Sequence, residues 1–185
     1  MSTSAGTGQR SAGTRVHGWA GWLPALIAGS LCLGLYILTA APGLTWAHDG
    51  ADGGDLIAAC QTGGVPHPGG YPVYCLLART LVPVLPGCLA RRYTLLSACM
   101  AAVSVGLVTD LLRTGLARGG LSARAGGLLA FLGGLTWGLG PALWSQAVIT
   151  EVYALQACFT ALLVWRAAAL SNRPSAGAWV ALGLA

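Results

Sequence analysis

Lysine is absent from this 185-residue sequence, and glutamate occurs once, at Glu151. Charged residues of either sign make up 8% of the chain, where a soluble domain carries about 25%. So little charge cannot cover a water-facing surface, which excludes an ordinary soluble domain. The sequence also lacks a P-loop, a G-x-S-x-G elbow, paired C-x-x-C units and an H-E-x-x-H helix. Nucleotide hydrolysis, serine-hydrolase chemistry and zinc peptidase chemistry therefore have no support. The six cysteines show no metal-ligand spacing, and most lie in apolar segments, where cysteine behaves as a small hydrophobe. Cys60, Cys75 and Cys88 could face an oxidising compartment; a disulfide among them is an option rather than the expectation.

What is present is apolar. Hydrophobic residues make up 55% of the chain, and the mean hydropathy is +0.69. Ten arginines against five acidic residues give a net charge of +5. The arginines stand between apolar runs, so they read as orientation signals in a membrane rather than as a nucleic-acid surface. A bilayer core needs about 20 apolar residues in a helix. Trp19–Ala41, Tyr93–Leu112, Ala125–Leu143 and Val152–Leu170 meet that need, and Ala176–Ala185 begins a further apolar run that stops about three turns in. The expected fold is an all-α, polytopic transmembrane helical bundle with four complete spans and an incomplete fifth, truncated at its C-terminus. Residues 1–18 read as a disordered cytoplasmic tail, 19–185 as the transmembrane domain, and about 42–92 as the first extracytoplasmic loop. The run after the tail has no Arg, Asp or Glu from Val16 to His48, too long for a signal-peptide core and therefore a retained anchor. No internal repeat is visible.

Pro72–Gly87 is the ambiguous segment, with Arg79, Pro83 and Pro86 inside 16 apolar residues. If it crosses, four arginines fall inside and five outside, against the positive-inside rule. If it lies along the outer face, seven fall inside and three outside. The second topology is preferred. It keeps the N-terminus cytoplasmic and gathers Asp49, Asp52, Asp55 and Glu151 on one extracytoplasmic face.

Three stretches carry chemistry. The first, Thr45 to Ala59, holds Asp49, Asp52 and Asp55 among Gly50, Gly53 and Gly54. Carboxylates at a membrane surface can take a proton from a hydroxyl or hold a cation. Equally, Asp49-Gly50 can be a turn, and Asp55 can cap a short helix over Leu56–Thr62 that Gly63 ends. The second is Gly64-Val65-Pro66-His67-Pro68-Gly69-Gly70-Tyr71-Pro72, in which prolines stiffen a loop around His67 and Tyr71. It can present His67 to a phosphate, or simply be an elbow. The third is Trp144-Ser145-Gln146-Ala147-Val148 followed by Glu151-Val152-Tyr153. Glu151 ends a stretch free of charge since Ala125, which makes it a functional candidate or the marker of a span's end. Asp110 sits three residues before Arg113, at helical pairing distance, and reads as structural.

With Ala41-Pro42-Gly43-Leu44-Thr45-Trp46 and Asp52-Gly53-Gly54-Asp55-Leu56-Ile57-Ala58-Ala59, these motifs over Leu35–Leu170 resemble one family. It is that of the bacterial relatives of the eukaryotic transmembrane O-mannosyltransferase that modifies plexin-type receptors. Gly69 departs from the family's pattern, where a second proline is expected, and this loosens the His67 loop. The chain is also shorter than such enzymes, with only their front part. The resemblance implies a GT-C membrane glycosyltransferase that takes a sugar, mannose among the candidates, from a polyprenyl-phosphate carrier. The acceptor would be an extracytoplasmic hydroxyl on a protein or glycan. It implies Asp52 as base, Asp55 as its partner or a helix cap, and Glu151 completing the acidic site. His67, Arg91 and Arg92 become candidate phosphate contacts, and Tyr71, Gln146 and Tyr153 candidate substrate contacts. No cofactor is required by the motifs, a divalent cation being the one candidate; no metal ligands are assigned. The expected location is the bacterial inner (plasma) membrane, among membrane lipids, without nucleic acid. Two other readings stay open: a transporter or channel fragment using the acidic residues for proton or cation binding, and a non-catalytic membrane remnant.

Overall fold

One helix organises the chain. The computed structural model describes residues 21–171 and positions 177, 180 and 183; the expected tail over 1–18, Trp19, and most of Ala176–Ala185 lie outside the described residues. The helices are α1 (Leu23–Thr39), α2 (Gly53–Thr62), α3 (Pro72–Leu81), α4 (Leu89–Arg118), α5 (Ala123–Leu139), α6 (Pro141–Ala147) and α7 (Tyr153–Leu170). No strand occurs among the described residues. At 30 residues, α4 is about 45 Å long, and α1, α5, α6 and α7 all pack against it.

Two helices, α4 and α7, are long and apolar enough to cross a membrane, and α5 with α6 makes a third if the bent pair is one span. The sequence suggested a straight span over Ala125–Leu143. Instead the chain bends by 61° between α5 and α6. Gly140 takes an extended conformation there (φ −62°, ψ 139°), and Pro141 brings no N–H to continue the ladder. The span expected over Tyr93–Leu112 is longer than predicted and takes in Arg91, Arg92, Arg113 and Arg118. The run Pro72–Val84 is helical but shorter than a span.

The core between α1, α4, α5 and α6 is made of small side chains: Ala28, Cys32, Ala98, Ala101, Ala102 and Val105 are buried around Tyr36. Helices that meet through small residues approach closely, which is how membrane bundles gain packing energy. Tyr36 uses its hydroxyl to donate to the Gly138 carbonyl at 2.7 Å. At the opposite end of α4, Asp110 is buried but fully engaged. It accepts from Arg113 (Nη2 at 2.6 Å, Nε at 3.0 Å) and from Trp165 Nε1 at 2.9 Å. That ties α4 to α7 and bears out the structural reading of the pair. Trp22 stacks on the same Trp165, with centroids 6.0 Å apart.

The close packing is testable. A Cβ on Gly138 would lie 2.6 Å from Cys32 Sγ and 2.8 Å from Val105 Cγ2, whereas a Cβ on Gly34 would meet nothing. Gly138→Ala is expected to destabilise the bundle by about 1–3 kcal/mol through overpacking. Gly34→Ala, in an exposed helical position, is expected to be neutral or stabilising. Thermal unfolding in detergent reads both; equal midpoints would contradict the packing described.

Candidate active site

The acidic stretch and the proline-rich loop meet because α2 and α3 fold into a hairpin. Gly63 ends α2 in the left-handed conformation (φ 80°) that glycine adopts without penalty. Cys60 and Cys75 are joined by a disulfide across a sequence separation of 15; the sequence reading had leaned against one. Arg79 adds a second link, donating from Nε to the Cys60 carbonyl at 2.6 Å. The hairpin, with Val82 just past it, buries Leu56, Tyr74 and Ala78 against Tyr93 and Leu96 of α4, Val152 just before α7 and Leu155 of α7. It therefore rests on the Leu89 end of α4.

Two glycines set how near the acidic stretch comes to Glu151. A Cβ on Gly50 would sit 2.7 Å from the Thr45 carbonyl oxygen, and one on Gly53 would sit 3.3 Å from the Thr150 carbonyl oxygen. A side chain at Gly53 would push the stretch off Thr150, and one at Gly50 would clash with the stretch's own turn. His48 and Asp49 adopt positive φ (56° and 62°) just before it, an uncommon backbone state for residues with a Cβ.

Asp52, Asp55 and His67 converge. His67 donates its backbone N–H to Asp55 Oδ2 at 2.9 Å, and its Nδ1 lies 3.0 Å from the same oxygen. Its Nε2 lies 3.5 Å from Asp52 Oδ2. One imidazole thus stands between two carboxylates, each about half exposed (53% and 51%). The Tyr71 ring meets His67 edge-on with centroids 5.5 Å apart, and Tyr71 takes a left-handed conformation (φ 37°) at the start of α3. Asp55 is not the helix cap expected from sequence. α2 begins at Gly53 with Asp52 in the cap position, and no side chain caps it. Asp55 lies in the first turn, and its carboxylate is spent on the His67 loop.

Hydrogen bonds from the His67 backbone N–H and ring hold the Asp55 carboxyl below its usual range. The Asp55 hydrogen bond, with the charges of Asp52, Asp55 and Glu151, pushes His67 up. Glu151 is buried, at 4% exposure. Burial raises its pKa and Asp52 raises it further, while the Val152 N–H and His67 act the other way. Val152 N donates to Glu151 Oε2 at 3.2 Å, and Ser97 Oγ donates to the Glu151 carbonyl at 3.1 Å. Among the described residues no group of three or more His, Cys, Asp or Glu is arranged to hold a metal ion.

The other sequence candidates lie elsewhere. Arg91 spends its guanidinium on the carbonyls of Ile37, Ala40 and Ala41, closing the C-terminus of α1. Cations suit that end of a helix, so these contacts are structural. Arg92 donates from Nε to the Gly87 carbonyl at 2.8 Å and remains partly exposed. Gln146 lies in α6, donating to Ser145 Oγ, with its carbonyl oxygen buried and without a partner among the described residues. Tyr153 is exposed and lines an apolar groove with Trp137 and Val108. A second groove, of about 420 Å³, starts at Gly69 and Tyr71 and runs along α7 past Leu155, Phe159 and Leu163. Sequence reasoning missed Tyr74 and Ser97, which share a slit with Glu151. Their one signal was position, three residues from Tyr71 and four from Tyr93.

Residues 52–183 match the family described as the protein O-mannosyl-transferase TMEM260 N-terminal domain. Among curated proteins, the protein O-mannosyl-transferase TMEM260 of Mus musculus is 31% identical over 118 residues, covering 62% of this chain. The chain spans 15% of the length of that relative. No solved structure matches.

The His67 contact has a definite pH window. A raised His67 pKa means that its contribution to holding the loop is full below about 6.5 and is lost as pH rises through the folded value. A lowered Asp55 pKa means that its contribution is present above 3.8 and is lost as pH falls through the folded value. Asp55→Asn is expected to bring the His67 midpoint down towards 6.5, read by NMR of labelled histidine with His67→Gln to assign the signal. A midpoint unmoved by the substitution would contradict the geometry.

Proposed function

The chain belongs to the TMEM260 N-terminal family of protein O-mannosyl-transferases, and from that membership we propose that it is the front part of a GT-C membrane glycosyltransferase. It transfers mannose from a polyprenyl-phosphate carrier to a hydroxyl on an extracytoplasmic protein. The observation that carries this reading is the convergence of Asp52, Asp55 and His67 within hydrogen-bonding or ion-pairing distance at the membrane-proximal hairpin.

The chemistry follows from what each group can do. The acceptor oxygen attacks the anomeric carbon of the sugar, and the Asp52 carboxylate takes the hydroxyl proton. The bond from that carbon to the lipid phosphate breaks, and its electron pair leaves on the phosphate. A cation facing the leaving phosphate stabilises that charge. His67, held by Asp55 and drawn towards its protonated form, suits this role, and partly exposed Arg92 is a second candidate. Glu151 closes the acidic side of the site from the loop before α7. The groove running from Tyr71 along α7 offers apolar surface of the kind an isoprenoid chain would cover.

The topology belongs to the same reading. We place the N-terminus in the cytoplasm and the α2–α3 hairpin on the extracytoplasmic face of a bacterial plasma membrane. The Cys60–Cys75 disulfide supports this side, since such bonds persist in oxidising compartments. α1 and the α5–α6 pair are read as spans beside α4 and α7. The transporter reading draws on one feature, the 61° break between α5 and α6 near buried Glu151. The half-exposure of Asp52 and Asp55 favours catalysis, because transport carboxylates sit at the midplane.

Mannose transfer from a polyprenyl-phosphate donor to a Ser/Thr peptide, in proteoliposomes holding the full-length protein, tests the proposal. Asp52→Asn is expected to lower kcat by about 10²–10⁴-fold, the usual worth of a positioned base, with little change in donor KM. Retained activity in that variant would remove Asp52 from the mechanism, and no transfer by the folded unaltered protein would overturn the function.

A further inference from the structure

Tyr74 has a hydroxyl that nothing in the site described above uses. It is 3% exposed, and its oxygen has no hydrogen-bond partner among the described residues. It lines a narrow slit together with Leu77, Leu96, Ser97, Met100, Glu151 and Leu155. The slit is too narrow to admit a water molecule, so a water cannot satisfy the hydroxyl. Only two other polar side chains line it. Ser97 is already spent, donating to the Glu151 carbonyl and accepting from the Glu151 N–H. Tyr93, which packs on Tyr74 from α4 with centroids 6.3 Å apart, is not part of the slit's lining and accepts from Gln61 Nε2 at 2.9 Å. The Glu151 carboxyl remains. An unsatisfied buried hydroxyl is unfavourable, so a hydrogen bond from it to that carboxyl would be favourable.

We propose that Tyr74 is a positioning residue for Glu151: its hydroxyl donates to the Glu151 carboxyl across the slit and fixes that carboxyl beside Asp52 and His67. The inference rests on the reading that Glu151 belongs to the site. It gives the α2–α3 hairpin a second role, since the helix that carries Tyr74 is the one the disulfide fastens. The ionisable groups facing Glu151 are Asp52 from the turn before α2, His67 from the proline-rich loop and Tyr74 from α3. Burial, with the charges of Tyr93 and Glu151, pushes the Tyr74 hydroxyl up, so it stays protonated and able to donate.

Because Glu151 is the only glutamate in the chain, a carboxyl-carbon label on glutamate gives one NMR signal for this one group. In the 185-residue chain reconstituted in lipid, Tyr74→Phe is expected to raise the Glu151 midpoint by about one pH unit, since the lost donor favoured the charged form. A purely structural tyrosine would leave the midpoint where it was, and that result would overturn the proposal. In the unaltered chain, a through-space contact between the Glu151 carboxyl carbon and a tyrosine ring is expected, absent in Tyr74→Phe; its absence from the unaltered chain would equally overturn it. Neither readout needs sugar transfer. Full transfer activity in Glu151→Gln would instead remove Glu151 from the catalytic site and leave the Tyr74 contact standing.

Discussion

The disulfide between Cys60 and Cys75 is the constraint on which the candidate site depends. It fastens α2 to α3 and closes the loop that carries His67. A covalent loop of about 15 residues removes about 3 kcal/mol of chain entropy from the unfolded state, in the loop-closure account. Without that closure, Gly63, Gly69 and Gly70 would leave the segment many conformations, and Gly69 stands where the related sequences are expected to have proline. With it, His67 reaches back to Asp55, and the hairpin packs as one body on Tyr93, Val152 and Leu155. Two carboxylates at the start of α2, Asp52 and Asp55, then face one imidazole from the loop before α3, which is the minimum for acid–base chemistry on a hydroxyl.

The two buried carboxyl groups show how structure separates support from chemistry. Asp110 is surrounded by donors, two nitrogens of Arg113 and the Trp165 indole, so its charge is answered inside the bundle. Glu151 receives one backbone N–H, sits near a like charge on Asp52, and borders an unpartnered tyrosine hydroxyl. A buried carboxyl left that incomplete is unfavourable in a core made only for stability. Membrane proteins keep such groups where they act.

Much of this was legible in the sequence, because it depends on local pattern. Low charge and long apolar runs give an all-helical membrane protein, and the glycine-spaced Asp52 and Asp55 stand out beside a proline-stiffened His67. Long-range pairing was not legible. Cys60 and Cys75 look like any two cysteines until α2 turns back on α3. Arg91 looks like a phosphate ligand until the α1 carbonyls arrive beside it. Asp55 looks like a cap, and its carboxylate instead answers a loop twelve residues away. Tyr74 lies at an ordinary helical position, and only the slit shared with Glu151 makes its hydroxyl conspicuous.

On the proposed topology this carboxylate–histidine cluster faces the outside of the membrane. Thiol labelling decides it most directly. Val65 is exposed beside His67, and Ala123 is exposed just past the far end of α4. Single cysteines at these positions, in a background with exposed Cys88 changed to serine, are treated in intact cells with a membrane-impermeant maleimide. The account predicts labelling of Val65→Cys in intact cells, and labelling of Ala123→Cys only after permeabilisation. The reverse pattern would put the site in the reducing cytoplasm, away from an outward-facing lipid-linked sugar, and would contradict the account.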